Sequence, residues 1–109
     1  MILSAFAETR GREPAELHKM ALTARKKIKI LVAGAGSIGE RHLTNLYRLG
    51  YRNLAVCDTD QKRLEEISGA LPISLYSDFR KALQEEEPSA VLICTPTDLH
   101  LPFARQAIS

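Results

Sequence analysis

Ile30-Leu-Val-Ala-Gly-Ala-Gly-Ser-Ile-Gly-Glu-Arg-His-Leu43 is the stretch that decides the fold. Four apolar residues run without a break into the pattern Gly-x-Gly-x-x-Gly, and the segment after it carries apolar residues at helical spacing. An unbroken apolar run suits a strand covered on both faces. A short glycine-rich turn between such a strand and an amphipathic helix opens a βα unit. The run over residues 30–35 is far shorter than the roughly 20 residues that cross a bilayer.

The remaining chain repeats that rhythm. Residues 28–33 predict a first strand, and residues 37–49 a helix with Ile38, His42, Leu46 and Leu49 facing inward, ended by Gly50. Residues 53–57 predict a second strand. Residues 60–68 follow as a helix capped by Thr59 or Asp60, with Leu64 and Ile67 inward and Gly69 as terminator. Residues 73–76 form a short strand, and residues 78–84 a helix capped by Ser77 with Phe79 and Leu83 inward. Glu85, Glu86 and Glu87 oppose the dipole at that helix end and Pro88 forbids continuation, so the run reads as a solvated exit. Residues 90–94 predict the fourth strand. Residues 99–108 predict a last helix with Leu101, Ala104 and Ile108 inward and Pro102 in its first turn.

Strands alternating with helices predict an α/β fold, a doubly wound parallel sheet in a three-layer αβα arrangement. Right-handed crossovers from strand one to two to three, then a return that sets strand four beside strand one, give the order 3-2-1-4. Such a partial sheet leaves an edge of strand four open, which invites self-association into a homo-oligomer. Residues 1–27 show no sustained period, carry Gly11 and Pro14, and end in Arg25, Lys26 and Lys27. They read as a flexible tail before a domain at 28–109, with a partner-binding helix around residues 14–22 as the alternative. Met20 stands eight residues before the first strand, where an initiator would.

At 109 residues the chain suits one domain, and 45% hydrophobic with 26% charged residues is ordinary for a globular protein. A formal charge of +2 from 15 basic and 13 acidic residues gives no field to hold a polyanion, so nucleic acid is not an expected partner. Cys57 and Cys94 end strands two and four, with strand one between them. That separation exceeds the roughly 7 Å a disulfide spans, and both read as free thiols of a reducing cytosol. The amino-terminal stretch lacks a basic start followed by an apolar run and is no secretory signal. The expectation is a cytoplasmic protein with no membrane partner.

Ligands of open α/β sheets bind where the strand order reverses, so the loops at 34–39 and 95–100 face each other across a crevice. Gly34 permits the tight turn, Gly36 lets backbone approach a pyrophosphate, and Gly39 lets the helix pack close. With Ser37 and Ile38 they form a loop whose amides and helix dipole favour negative charge. Asp58, 19 positions after Gly39, ends strand two where a carboxylate accepts from the ribose hydroxyls of a dinucleotide. A 2′-phosphate there meets like charge, which favours NAD. Lys62 and Arg63 offer such a phosphate compensation while Asp60 adds repulsion, so NADP is the second choice. The plain alternatives are a tight turn that binds nothing and an Asp58 that caps the following helix. His42 reads as a packed histidine on the inward helix face, His100 as a cofactor contact or a helix-end group, and Arg41 as solvent-facing. His18, His42 and His100 have no metal-ligand spacing with the cysteines, and no Ser-His-Asp arrangement is present.

The quoted stretch, together with Cys94-Thr-Pro-Thr-Asp-Leu-His100, resembles the Gfo/Idh/MocA oxidoreductases over residues 28–109. The resemblance implies a Rossmann-type domain and chemistry at a CH–OH group of sugars, inositols or sugar nucleotides. It implies that Thr95, Pro96 and His100 lie along the nicotinamide side of the cofactor. Thr97 stands where the family often has Asn, so a hydroxyl replaces a carboxamide there. Family members continue into a Glu-Lys-Pro segment with a catalytic lysine and a second domain holding the substrate pocket; residues 1–109 contain neither, and no residue takes a catalytic role by matching. The expectation is the cofactor-binding part of an NAD(P)-dependent dehydrogenase. The rivals are a nonenzymatic dinucleotide-binding module or sensor, and a nucleotide-sugar or methyl-donor enzyme on the same fold.

Overall fold

Alternate residues of a strand point to opposite faces of the sheet, so a strand covered on both sides must supply two cores. The computed structural model describes residues 13–95 and 97–108, without the side chains of 97–101 and 103, and shows this division. Its elements are α1 (Pro14–Lys27), β1 (Lys29–Ala33), α2 (Ser37–Arg48), β2 (Asn53–Cys57), α3 (Gln61–Ala70), β3 (Ser74–Tyr76), α4 (Phe79–Glu86), β4 (Ala90–Ile93) and α5 (Thr97–Ile108). Ile30 and Val32 of β1 join Leu54 and Val56 of β2 in one core, closed by Leu43 and Leu46 of α2 and Leu64 and Ile67 of α3. Leu31, Ala33, Ala55 and Cys57 face the other way, against Phe79 and Ala82 of α4, with Ala107 of α5 packed alongside. The helices therefore change face between α3 and α4.

The strand order is β3-β2-β1-β4, and every pairing is parallel. Ala33 sits opposite Cys57 on one side and Ile93 on the other, so β1, β2 and β4 end at one level. That order was the expectation, and the change of face follows from it: crossovers of one hand that advance to β3 and then return past β1 must cover opposite sides. Cys57 packs in the α4 core and Cys94 against the α2 core, and both are free thiols. Among the described residues no helix is long and apolar enough to cross a membrane.

Several expectations need correction. The inward face of α2 is Gly39, Leu43 and Leu46, whereas Ile38 is 59% exposed and His42 and Leu49 are exposed too. The face is rotated because Gly39, the one residue without a side chain, is what must meet the strand. Residues 1–12 lie outside the described residues, but Pro14–Lys27 form α1 where a tail was expected. Pro14 at the helix start costs no hydrogen bond, and Arg25, Lys26 and Lys27 complement the dipole at its end. The α1 helix rests on the end of α2: Arg25 donates to the Leu49 carbonyl at 2.7 Å, and a methyl at Gly50, whose φ is +102°, would meet Leu22 at 3.3 Å.

The cap of α4 is Asp78 rather than Ser77, its carboxylate accepting from the Lys81 amide. Glu86 is not a mere solvated exit, since it accepts from the Tyr76 hydroxyl at 2.6 Å. That hydrogen bond, more than burial, pushes the Tyr76 hydroxyl well above the ordinary tyrosine range. Helix α5 begins at Thr97, two residues earlier than expected, so Pro102 falls past the first turn and has no N–H to give the preceding turn. Ala107, not the 86% exposed Ile108, meets the core, and the expected inward Leu101 lies outside the described side chains.

Gly69 does not end α3, which runs on to Ala70, and a Cβ at Gly69 would meet nothing within 4 Å. A Cβ at Gly39 would land on the carbonyl oxygen of Gly34. Thermal denaturation should therefore separate two glycine-to-alanine changes in helices. Gly69→Ala should stabilise by about 0.5–1 kcal/mol through the lower entropy of the unfolded chain and raise Tm by roughly 4 °C. Gly39→Ala should destabilise by about 3 kcal/mol or more, because backbone and not a side chain has to shift.

Candidate functional site

The parallel register brings the residues just past three strand ends into one place. Beyond Ala33 and Cys57, the Gly34 amide donates to the Cys57 carbonyl at 2.8 Å, and the next amide, of Ala35, donates to Oδ2 of Asp58 at 2.7 Å. The other oxygen of Asp58 accepts from the Asp60 amide at 2.8 Å. One carboxylate thus ties the glycine turn to the turn that opens α3. Cap duty on α3 belongs to Asp60, which accepts from the Lys62 and Arg63 amides. The alternative that Asp58 is merely a helix cap is thereby answered.

Close backbone contacts shape the turn. Gly34 has φ +112°, a conformation that side chains rarely adopt, and a Cβ there would come within 2.7 Å of the Cys94 carbonyl oxygen. The carbonyl of Ala33 accepts from the Cys94 amide at 2.7 Å, so β4 is drawn against this turn. Gly36 precedes α2 as its cap residue, and no side chain caps the amides of that helix start. The starts of α3 and α4 do have such caps, from Asp60 and Asp78. The first turn of α2 therefore offers its amides, with the positive end of its dipole, to an anion from outside.

A cleft of about 450 Å³ lies over this turn. Gly34, Gly36, Asp58 and Thr95 line it, and its volume lies within the roughly 300–1,000 Å³ of small-molecule sites. Ser37 and Ile38 stand beside it with exposed side chains, and Gly39 is buried beneath. Pro96 lies outside the described residues, and Thr97 and His100 are described only as backbone of α5. His42, on the exposed face of α2, takes no part.

The sequence reading did not single out Cys57, Cys94, Ser77 or Phe79 as cleft residues, although each lines it. Their signal was the register: residues at the carboxyl ends of adjacent parallel strands must share one rim. Burial, then the charges of Asp58 and Asp78, push the Cys57 thiol up to about 11, and burial raises Cys94 as well. A larger groove, of about 740 Å³, runs between α4, β4 and α5. Its walls are the flanks of α4 and α5 at Leu83 and Ala107 and the side of β4 at Val91, whereas strand ends and a helix start converge on the smaller cleft, which is the better candidate.

Bare backbone at Gly36, uncapped amides and a neighbouring acid fit the pyrophosphate and ribose of a dinucleotide. The model of the Gfo/Idh/MocA oxidoreductase family, NAD-binding Rossmann fold, matches residues 28–109. The uncharacterized oxidoreductase YrbE of Bacillus subtilis is 30% identical over 84 residues, which cover 75% of this chain and 25% of that protein. The 4-carboxy-2-hydroxymuconate-6-semialdehyde dehydrogenase of a Sphingobium species is 31% identical over 84 residues, 75% of this chain and 26% of its own. The inositol 2-dehydrogenase of Pseudarthrobacter chlorophenolicus is 34% identical over 88 residues, 75% and 25% respectively. The chain thus spans about a quarter of the length of these curated relatives. No solved structure matches it. With the matched region running from β1 through α5 and containing both the glycine turn and Asp58, the chain belongs to the Gfo/Idh/MocA family of NAD-binding oxidoreductases.

Proposed function

We propose that the cleft over the glycine turn binds NAD in preference to NADP, and that residues 28–109 form the cofactor part of a dehydrogenase acting on a CH–OH group of a polyol or sugar-like substrate. Asp58 carries the reading. Its carboxylate sits at the glycine turn, held by the Ala35 and Asp60 amides at 2.7 and 2.8 Å, with lone pairs left for the hydroxyls of an adenosine ribose. A 2′-phosphate at the same place would meet Asp58 and Asp60 together. Gly36, Ser37, Ile38 and Gly39 hold the pyrophosphate through backbone amides on the turn that Gly34 shapes, and Thr95, joined by Pro96, Thr97 and His100 on the family resemblance, serves the nicotinamide side.

Bound there, the nicotinamide would supply two-electron chemistry, taking a hydride from a carbon bearing a hydroxyl or returning one to the corresponding carbonyl. The residues of this chain bind and orient, and none of them is assigned the proton transfer. The polyol reading draws support from the relative named inositol 2-dehydrogenase; another relative is named for a semialdehyde, so what the two names share is the dehydrogenase type. Two free thiols suit a reducing compartment such as the cytoplasm.

Titration of the full chain should show NADH binding about ten-fold more tightly than NADPH, with the amide resonances of residues 35–39 moving. Asp58→Ser combined with Thr59→Arg should turn the preference toward NADPH. Absolute affinity should fall for both cofactors, because the Ala35 amide loses its carboxylate partner. Unmoved turn resonances in a folded sample would refute the site.

The thiols give an independent check. With its thiol near 11, Cys57 holds only about one thiolate in a thousand at pH 8, so iodoacetamide should label it slowly, about ten-fold faster per pH unit up to that value. Saturating NADH should slow labelling of Cys57 and Cys94 further, since both line the cleft. Labelling indifferent to NADH would place the cofactor elsewhere.

A further inference from the structure

Resting on the dinucleotide reading of the cleft, we propose that Arg63 is a side-chain ligand for the cofactor's phosphates, a guanidinium that closes over the glycine turn from helix α3. A Cβ placed on Gly36 would come within 2.8 Å of Arg63 Nη1, and no other atom is that near. The guanidinium therefore lies directly above the stretch of bare backbone that a pyrophosphate must approach. Its charge adds to that of the uncapped α2 amides on the same few ångströms of space.

The hold on Arg63 is weak. Its Nε stands 3.4 Å from Asp60 Oδ2, with the two side chains 52% and 49% exposed, and an exposed pair at that distance restrains a long side chain little. Asp60 is itself anchored by the Lys62 and Arg63 amides, which its Oδ1 accepts, so it stays in place when the guanidinium turns away. A fixed side chain over Gly36 would block the turn. A loosely held one yields to an arriving diphosphate and remains within reach of it, and the planar fork of arginine matches phosphate oxygens two at a time. Gly36 thus has two tenants: the guanidinium before binding, and the diphosphate flanked by that guanidinium after it.

Isothermal titration of the full chain with NADH and with ADP-ribose, at low and moderate salt, tests this. Arg63→Ala should weaken both ligands about ten-fold at low salt, the effect expected for one charge-assisted contact on a partly exposed site, and should flatten the salt dependence. Arg63→Lys should recover part of the loss, as a point charge without the fork. Lys81→Ala removes one positive charge from α4, where Lys81 pairs loosely with Glu85, and should leave both affinities unchanged. Circular dichroism and melting of each variant show whether the fold is kept. Unchanged binding in a folded Arg63→Ala protein would overturn the assignment and leave the NAD site standing. Tighter binding would overturn it too, making Arg63 an obstruction. Failure of the unaltered chain to bind either ligand would remove the dinucleotide reading and this inference together.

Discussion

Gly39 lies on the carbonyl of Gly34, and Gly34 in turn lies against the carbonyl of Cys94, both too closely for any Cβ. These backbone-on-backbone contacts set the start of α2 down on the ends of β1 and β4. The Ala35 amide is thereby aimed sideways at Asp58, and the next residues open the helix with their amides uncapped. A larger residue at either glycine would lift α2 from the sheet and take the anion site with it. The identity of these two residues is thus a matter of distance, and the chemistry of the turn follows from it.

Asp58 completes the arrangement by crossing between strands. In a parallel pair the residues just past both ends are neighbours, so an acid following β2 meets the amides following β1 with no long side chain needed. Its charge sits near the positive end of the α2 dipole, which stabilises it, and its two oxygens hold two turns in fixed relation. On the NAD reading proposed above, the group that would select the sugar of the cofactor is therefore also a strut of the loop that would meet its phosphates. The proposed cofactor preference and the order of the loop then cannot be altered separately at this position.

Much of this was legible in the residues. Apolar runs alternating with helical periods led to the strand order, and Leu64, Ile67 and Phe79 point inward as their spacing indicated. Where the reading slipped, short-range signals competed with packing that a sequence does not display. The spacing of Ile38, His42, Leu46 and Leu49 suggests one face of α2, while the helix turns Gly39, Leu43 and Leu46 inward, with the side-chain-free Gly39 making the closest contact. Both Ser77 and Asp78 can cap a helix, and only the geometry of the chain leaving β3 favours the latter. Helix α1 has no strong apolar stripe, and what places it, Arg25 on the Leu49 carbonyl just past α2, is a contact across 24 positions. The tight turn and the acid beside it were legible for the opposite reason: their geometry depends on the absence of side chains and on one carboxylate, both visible in one dimension. The Asp58 bond to Ala35 required the register as well.

No polar or charged residue is buried among the described side chains, so the two cores do structural work alone. On the proposed reading, recognition at the glycine turn would be mostly by backbone amides, which every sequence supplies wherever the turn can form. A site of that kind demands little more than three glycines and an acid, and leaves the rest of the domain free to vary under the looser demand of apolar packing. Such tolerance agrees with relatives only 30–34% identical to this chain that are nevertheless named as dehydrogenases or an oxidoreductase. Side chains beyond that minimum, such as an arginine leaning over the turn from the next helix, are where members of one fold can differ in how tightly they hold the same phosphates.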